Sequence, residues 1–402
     1  MSQSRAGVND AAFRTTTKRW LAHTSEFLAP LLRTGATLAS RGAPSEPSSW
    51  RNGLIIGHNH IGDVMYRTCS LGYLRSGLPD CKWSYLTAPE SAELLKGNDS
   101  VSEVLPWSVG QDSWNLRQGA FGELRRREFD VVLCTNTLRH YPDLSLAVAL
   151  GIPNRVAYAY KGLSGLITCS APLRFPSAYP EYFRGMVADI GNRSPDWPLR
   201  PQLFPDHEDE SAAAGVSKAL GLSEDRQVLA CSVTTRQASG NWPKEHILAA
   251  IANARANREF DLVLCGGAAD SGKLSDIARE LSFPVRVLAG NLGLRAFGAF
   301  LARCASLVTL DSGPRHVGNA VGIPVLFVRN LAQSRVETGK YCETETDLAA
   351  PLPEYLSDEE IRRAVAAIPV TATAARIIET LAAAEGSGAE SRPGWQRGSL
   401  PG

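Results

Sequence analysis

No stretch of this 402-residue chain approaches the eighteen or more apolar residues of a membrane-spanning helix, and no compact apolar segment with a cleavage site opens it, so a cytoplasmic protein is expected. Charge of neither sign is in excess. Lys+Arg number 42 against 41 Asp+Glu, which argues against a polyanion-binding surface and so against nucleic acid as a partner. Eight cysteines are present but no CxxC pair. Cys134 and Cys265 close the apolar runs VVLC and LVLC, so buried free thiols are expected, with no metal site. Neither GxGxxG nor a Walker A sequence occurs, which removes the standard dinucleotide and P-loop fingerprints.

What is present is the composition of a globular protein, 44% hydrophobic and 21% charged, in a chain long enough for two domains with a core each. Short apolar runs at residues 54–57, 83–87, 101–105, 129–134 and 155–159 alternate with helix-compatible stretches such as 64–74 and 91–95. A second set at 228–233, 262–265, 285–288, 306–310 and 325–328 alternates with helical segments at 244–257 and 271–281. This order predicts an α/β fold: two Rossmann-like, doubly wound parallel-sheet domains facing across a cleft. The expected boundaries are an N-terminal helix and linker over 1–50, a first domain over 51–205, a second over 206–385 and a disordered tail over 386–402. The linker is read from the Gly, Ser, Ala and Pro of residues 36–50. The interdomain connection is read from the prolines between 167 and 224 and the acidic run at 206–210. Residues 11–35 place Phe13, Trp20, Leu21, Phe27, Leu28, Leu31 and Leu32 near helical spacing, with Arg14, Lys18, Arg19 and Arg33 between them. That pattern reads as a helix packed on the body or as a peripheral contact with a membrane surface.

Three stretches carry candidate chemistry. In GLIIGHNHIGDVMYRT, residues 53–68, an apolar strand ends at Gly57 and a helix starts after a short loop with Gly62 and Asp63. Two readings stand for Asp63: a helix N-cap, worth about 1 kcal/mol, or a carboxylate directed from the strand end into a ligand cleft. In SLVTLDSGPRHVGNAVGIPVLFV, residues 306–328, the loop of Asp311, Ser312, Gly313 and Pro314 leads into a helix whose first N–H groups suit a pyrophosphate. Asp311 and Ser312 read equally as capping residues, and His316 as a core histidine. In SVTTRQASGNWPKEH, residues 232–246, Thr234, Thr235 and Arg236 follow a strand, either to bind phosphate or as a plain polar loop.

In order and spacing these three stretches resemble glycosyltransferase family 9, the ADP-heptose:lipopolysaccharide heptosyltransferases. LLKGNDSVSEVLPW, LCGGAAD and AVGIPVLFV add to the likeness, which covers roughly residues 52–330. The resemblance implies a GT-B fold, with an acceptor held by the first domain and a nucleotide-diphosphate sugar, ADP-heptose, held by the second. It implies inverting transfer to a saccharide such as lipopolysaccharide core, without a cofactor or required metal. On it Asp63 is the general base, Thr234, Thr235, Arg236 and residues 311–316 meet the diphosphate, and Asp270 reaches the ribose. Two departures are visible. Where the family carries a lysine before Trp-Pro, this chain has Gly240 and Asn241, so Arg236 or Arg315 is the replacement cation. Where the family has small residues before Gly-Asp, this chain has His58, Asn59 and His60, which with Gly62 are read as acceptor contacts. The other readings are a nucleotide-sugar epimerase on the same scaffold and a noncatalytic nucleotide-sugar-binding protein.

Overall fold

The computed structural model describes residues 24–57, 60–107, 118–136, 140–159, 162–173, 177–223, 225–234, 242–329, 337–349 and 358–386. The chain divides into two units, Met1–Trp197 and Pro198–Gly402.

In the first unit β1 (Asn52–Ile56), β2 (Lys82–Thr87), β3 (Glu103–Pro106), β4 (Val131–Cys134), β5 (Asn154–Tyr158) and β6 (Cys169–Ala171) make one sheet, in the order β3-β2-β1-β4-β5-β6 with every pair parallel. Its helices are α1 (Ala29–Ala39), α2 (Ile61–Gly77), α3 (Pro89–Ala92), α4 (Gln118–Arg126), α5 (His140–Ala149) and α6 (Tyr179–Ile190). Leu54, Ile56, Val132 and Cys134 pack with Leu124 of α4 and Leu144 of α5. Leu54, Ile55 and Ile56 are all fully buried, which is why the strand reads as an unbroken apolar run rather than an alternating one.

The second unit repeats the plan. β7 (Val228–Ser232), β8 (Asp261–Gly266), β9 (Val285–Ala289), β10 (Ser306–Leu310), β11 (Val325–Val328) and β12 (Glu345–Asp347) run parallel in the order β12-β11-β10-β7-β8-β9. The helices are α7 (His207–Ala219), α8 (Lys244–Asn257), α9 (Ser271–Glu280), α10 (Leu294–Ala302), α11 (Gly313–Val321), α12 (Asp358–Ala366) and α13 (Val370–Gly386). In each sheet the first strand lies between its second and its fourth, so the winding reverses between β1 and β4 and between β7 and β10. Open α/β sheets bind ligands outside the strand carboxyl ends at such switch points.

The boundary between the units after Trp197 falls inside 167–224, where the interdomain connection is expected, but two connections are more structured than their composition suggests. Residues 36–50 are not a free linker: Trp50 is buried with its Nε1 donating to Ser45 O at 3.2 Å, and Ser45 N donates to Asn154 Oδ1 at 2.7 Å. The stretch from 167 to 224 is largely folded, holding β6, α6 and α7. Pro180 lies in the first turn of α6, and the acidic run starts α7, where the Asp206 side chain accepts from Asp209 N at 3.1 Å and Asp209 accepts from Asp206 N at 2.9 Å. Prolines and acids at these positions start helices rather than interrupt the fold. The first unit ends on Trp197, stacked on Tyr73 at 4.4 Å with Nε1 donating to Ser70 Oγ at 3.2 Å.

Residues 1–23 and the tail from 387 lie outside the described residues. From residue 24 onward, the leading segment is clamped on one side. Ser25 Oγ accepts from Leu163 N at 3.0 Å, the Glu26 carboxylate accepts from Ser164 N at 3.0 Å, and Ala36 is buried. Its other side presents Phe27, Leu31 and Leu38 at 85%, 71% and 82% exposure. Among the described residues no helix is long and apolar enough to cross a membrane.

Candidate functional site

Each unit places one of the polar stretches at its switch point. In the first, β1 gives way at Gly57, where a side chain would strike the Tyr85 ring of the neighbouring strand, so only glycine fits. α2 opens with His60 at its N-cap. Asp63 is therefore in the first turn and is not the N-cap, which corrects the capping reading; there the helix dipole favours its negative charge. Its Oδ1 accepts from Tyr66 Oη at 2.5 Å. Arg67, one turn on and 2% exposed, donates from Nη1 to Asp63 O at 2.6 Å and from Nη2 to Thr135 O at 3.3 Å. Thr135 follows β4 and donates to Ile56 O at 2.9 Å, closing the other side of the same switch point. Gly62 is half-buried and His60 exposed, both beside Asp63; His58 and Asn59 lie outside the described residues.

In the second unit the loop after β10 and Thr234 after β7 flank the switch point, as the pairing of Thr309 with Ser232 requires. Ser312 occupies the N-cap of α11, but its hydroxyl donates to Leu310 O at 3.2 Å and makes no cap bond. Pro314 sits in the first turn. A helix start left uncapped by its own side chain suits an anion. Thr235 and Arg236, with Gly240 and Asn241, lie outside the described residues.

Arg315 is not a phosphate cation, and the reason is geometric. Its Nε donates to Glu345 Oε1 at 2.6 Å, Nη1 to Asp311 Oδ1 and Thr338 O at 2.8 Å each, and Nη2 to Gly339 O at 2.6 Å and Glu345 Oε2 at 3.1 Å. A guanidinium has five N–H groups, and all are engaged inside the protein. Its plane also lies 3.6 Å from the centre of the Phe327 ring. Burial pushes the Glu345 carboxyl up, but Arg315 and the bonds from Tyr341 N and Asn319 outweigh it and hold the carboxyl below its ordinary range. The same network orders the rest of the loop: Asn319 Nδ2 donates to Glu345 Oε1 at 2.6 Å and to Tyr341 Oη at 3.1 Å, and His316 Nδ1 is 2.7 Å from that hydroxyl. Arg315 thus ties Asp311 in place beneath the loop.

Asp270 follows β8, on the far side of β7 from β10, and its Oδ2 accepts from Gly267 N at 3.0 Å, closing its own turn. Sequence reading did not single out Tyr66, Arg67, Thr135, Asn319, Tyr341 or Glu345. The i+3 and i+4 spacing of Tyr66 and Arg67 from Asp63 was the available signal; Glu345 offered none.

Two parallel doubly wound sheets, each with a polar loop at its switch point, define the GT-B class of glycosyltransferase fold. Residues 121–329 match glycosyltransferase family 9 (heptosyltransferase), and the chain belongs to that family. It is 24% identical over 287 residues to lipopolysaccharide heptosyltransferase 2 of Salmonella typhimurium, across 68% of this chain and 81% of the relative; the Escherichia coli protein gives the same figures. Among solved structures it is similar to a family 9 glycosyl transferase from Veillonella parvula, at TM-score 0.71 and 18% identity over 85% of this chain and 100% of that one. It is also similar to the Escherichia coli ADP-heptose lps heptosyltransferase II, at TM-score 0.64 and 21% identity over 83% and 98%.

Proposed function

We propose that this glycosyltransferase moves a heptosyl residue from ADP-heptose to a saccharide acceptor such as lipopolysaccharide core, inverting the anomeric centre without a required metal. The observation that carries the reading is Asp63 in the first turn of α2, at the switch point of the first sheet, with its carboxylate held by Tyr66. As general base it takes the proton of the acceptor hydroxyl while that oxygen bonds to the anomeric carbon. The bond from that carbon to the diphosphate breaks, and its electron pair leaves with ADP. His58, Asn59, His60 and Gly62 belong to the acceptor side on this reading. On the donor side the amino end of α11, with Ser312, Gly313 and His316, and Thr234, Thr235 and Arg236 meet the charge of the departing diphosphate. Asp311 orients that loop through Arg315, and Asp270 serves the ribose.

The relatives are named lipopolysaccharide heptosyltransferase 2, and a structural neighbour from Escherichia coli is solved with ADP, which supports ADP as the nucleotide. The enzyme works at the cytoplasmic face of a membrane, which the outward Phe27, Leu31 and Leu38 touch beside Arg33. The experiment is thermal unfolding against ADP, GDP, UDP, TDP and CMP, followed by ADP release from ADP-heptose with and without a heptose-deficient lipopolysaccharide core. At a hundredfold over its dissociation constant ADP stabilises the native state by about 2.7 kcal/mol. A selective ADP shift with acceptor-dependent turnover is expected. Conversion of the sugar nucleotide without acceptor gives an epimerase instead, and the absence of any nucleotide shift leaves a family member without a working donor site.

A further inference from the structure

Tyr66 and Arg67 lie one helical turn beyond Asp63, and the transfer reaction as written above assigns them no step. Tyr66 is 8% exposed, and its hydroxyl donates to Asp63 Oδ1 at 2.5 Å. Its ring stacks on Tyr179 at the start of α6, with centroids 6.0 Å apart and planes 10° apart, and Tyr179 meets Tyr182 edge-on at 6.3 Å. The hydroxyl is thus fixed from two helices. Arg67 joins the first turn of α2 to the loop after β4 through Asp63 O and Thr135 O. Among the described residues, the charged and titratable groups that bear on the Asp63 carboxylate are Tyr66 and Arg67 from its own helix, Tyr85 from β2 and, through Tyr66, Tyr179 from α6. Tyr158 of β5 faces Arg67. Burial raises the phenols of Tyr66 and Tyr85, the latter to about 12, so both stay protonated donors in any range where a carboxylate acts as base.

A buried arginine bonded to two backbone carbonyls is by itself an ordinary structural staple. The Tyr66 contact is what ties the cluster to chemistry, because a hydroxyl on the carboxylate both fixes its rotamer and favours its charged form. We infer that Tyr66 and Arg67 are positioning residues of the transfer reaction: Tyr66 orients and keeps ionised the Asp63 carboxylate, and Arg67 fixes the turn that carries it against the β4 side of the acceptor site. This rests on Asp63 as the base.

Tyr66→Phe tests it, because the ring and its stacking stay and only the donor is removed. With ADP-heptose and a heptose-deficient lipopolysaccharide core, kcat is expected to fall about tenfold or more while KM for the donor stays unchanged. The acid limb of the pH profile moves to higher pH, since the carboxylate loses a donor that stabilises its charged form. A readout independent of turnover is the carboxyl titration of Asp63 in protein labelled with carbon-13 aspartate, its resonance identified by its loss in Asp63→Asn. That titration also moves to higher pH in Tyr66→Phe. Arg67→Gln should lower kcat with donor KM kept; if it does not fold, Tyr66→Phe alone decides. A pH profile and carboxyl titration of Tyr66→Phe that superimpose on the parent overturn the inference. If Asp63→Asn turns over like the parent, the base assignment fails, whereas the titration still reports whether Tyr66 holds the carboxylate.

Discussion

Arg315 and Glu345 stand thirty residues apart in sequence and face each other in the interior of the second unit, Nε to Oε1 at 2.6 Å, both almost without solvent contact. Removing one partner strands the other charge. Glu345→Ala or Arg315→Met is expected to destabilise the protein by about 3–5 kcal/mol, read by urea unfolding. Because the Glu345 carboxyl is held below its ordinary range, its stabilisation is complete above about pH 5 and is lost as the pH falls further. The acid slope of stability should therefore be shallower in Glu345→Gln than in the parent, and equal slopes would contradict the pairing.

Gly57 touches the Tyr85 ring where any side chain would sit. Gly57→Ala is expected to cost about 1–3 kcal/mol through forced movement of that ring. Replacing Tyr85 with leucine in the same chain should recover part of the loss. Additive losses in the double variant would show that the two residues do not collide.

Asp63→Asn separates binding from chemistry. Turnover should fall by about 10²–10⁴ while the thermal shift given by ADP stays that of the parent. Retained turnover removes Asp63 as base, and a lost ADP shift shows damage beyond the acceptor side.

The outer side of the segment from Phe27 through α1 gives a test that involves no sugar. Replacing Phe27, Leu31 and Leu38 by serine should abolish sedimentation with anionic phospholipid vesicles and leave the unfolding midpoint within a degree or so, since all three are exposed. Equal sedimentation of parent and variant rejects this face as the membrane contact.

How far the sequence could be read follows from where each residue finds its partner. Strands such as VVLC at 131–134 and LVLC at 262–265 lie in two-faced sheets, and burial on both sides writes an unbroken apolar run. β12 has the opposite signature: ETD is polar throughout, and Glu345 is buried with Arg315 and Asn319 meeting it from a distant helix. The prolines before residue 205 hid α6, because a proline at a helix start and one in a connection look alike in sequence. Asp63 was legible as a carboxylate at a strand end, but its place one turn inside the helix depends on where α2 begins. In sequence Arg315 is one of two candidates, with Arg236, for the replacement cation, because no spacing rule reveals that Thr338 O and Gly339 O wait for its guanidinium. Thr135 became visible only with the strand order, which sets the ends of β1 and β4 side by side.

The short edge strand of the second sheet is keyed as much as it is paired. Glu345 lies opposite Val325 and Asp347 opposite Phe327, and each acid meets its own arginine, Arg315 from α11 and Arg329 from the end of β11. Slipping β12 by one residue would put Thr344 and Thr346, or Thr346 and Leu348, before the two guanidinium groups. Slipping it by two in one direction would leave Arg329 facing Ala349, and in the other it would exchange Glu345 for Glu343 before Arg315. A strand of three residues with no apolar side chain of its own is thus held by two ion pairs as well as by its ladder, and it carries the 337–342 loop in beside α11.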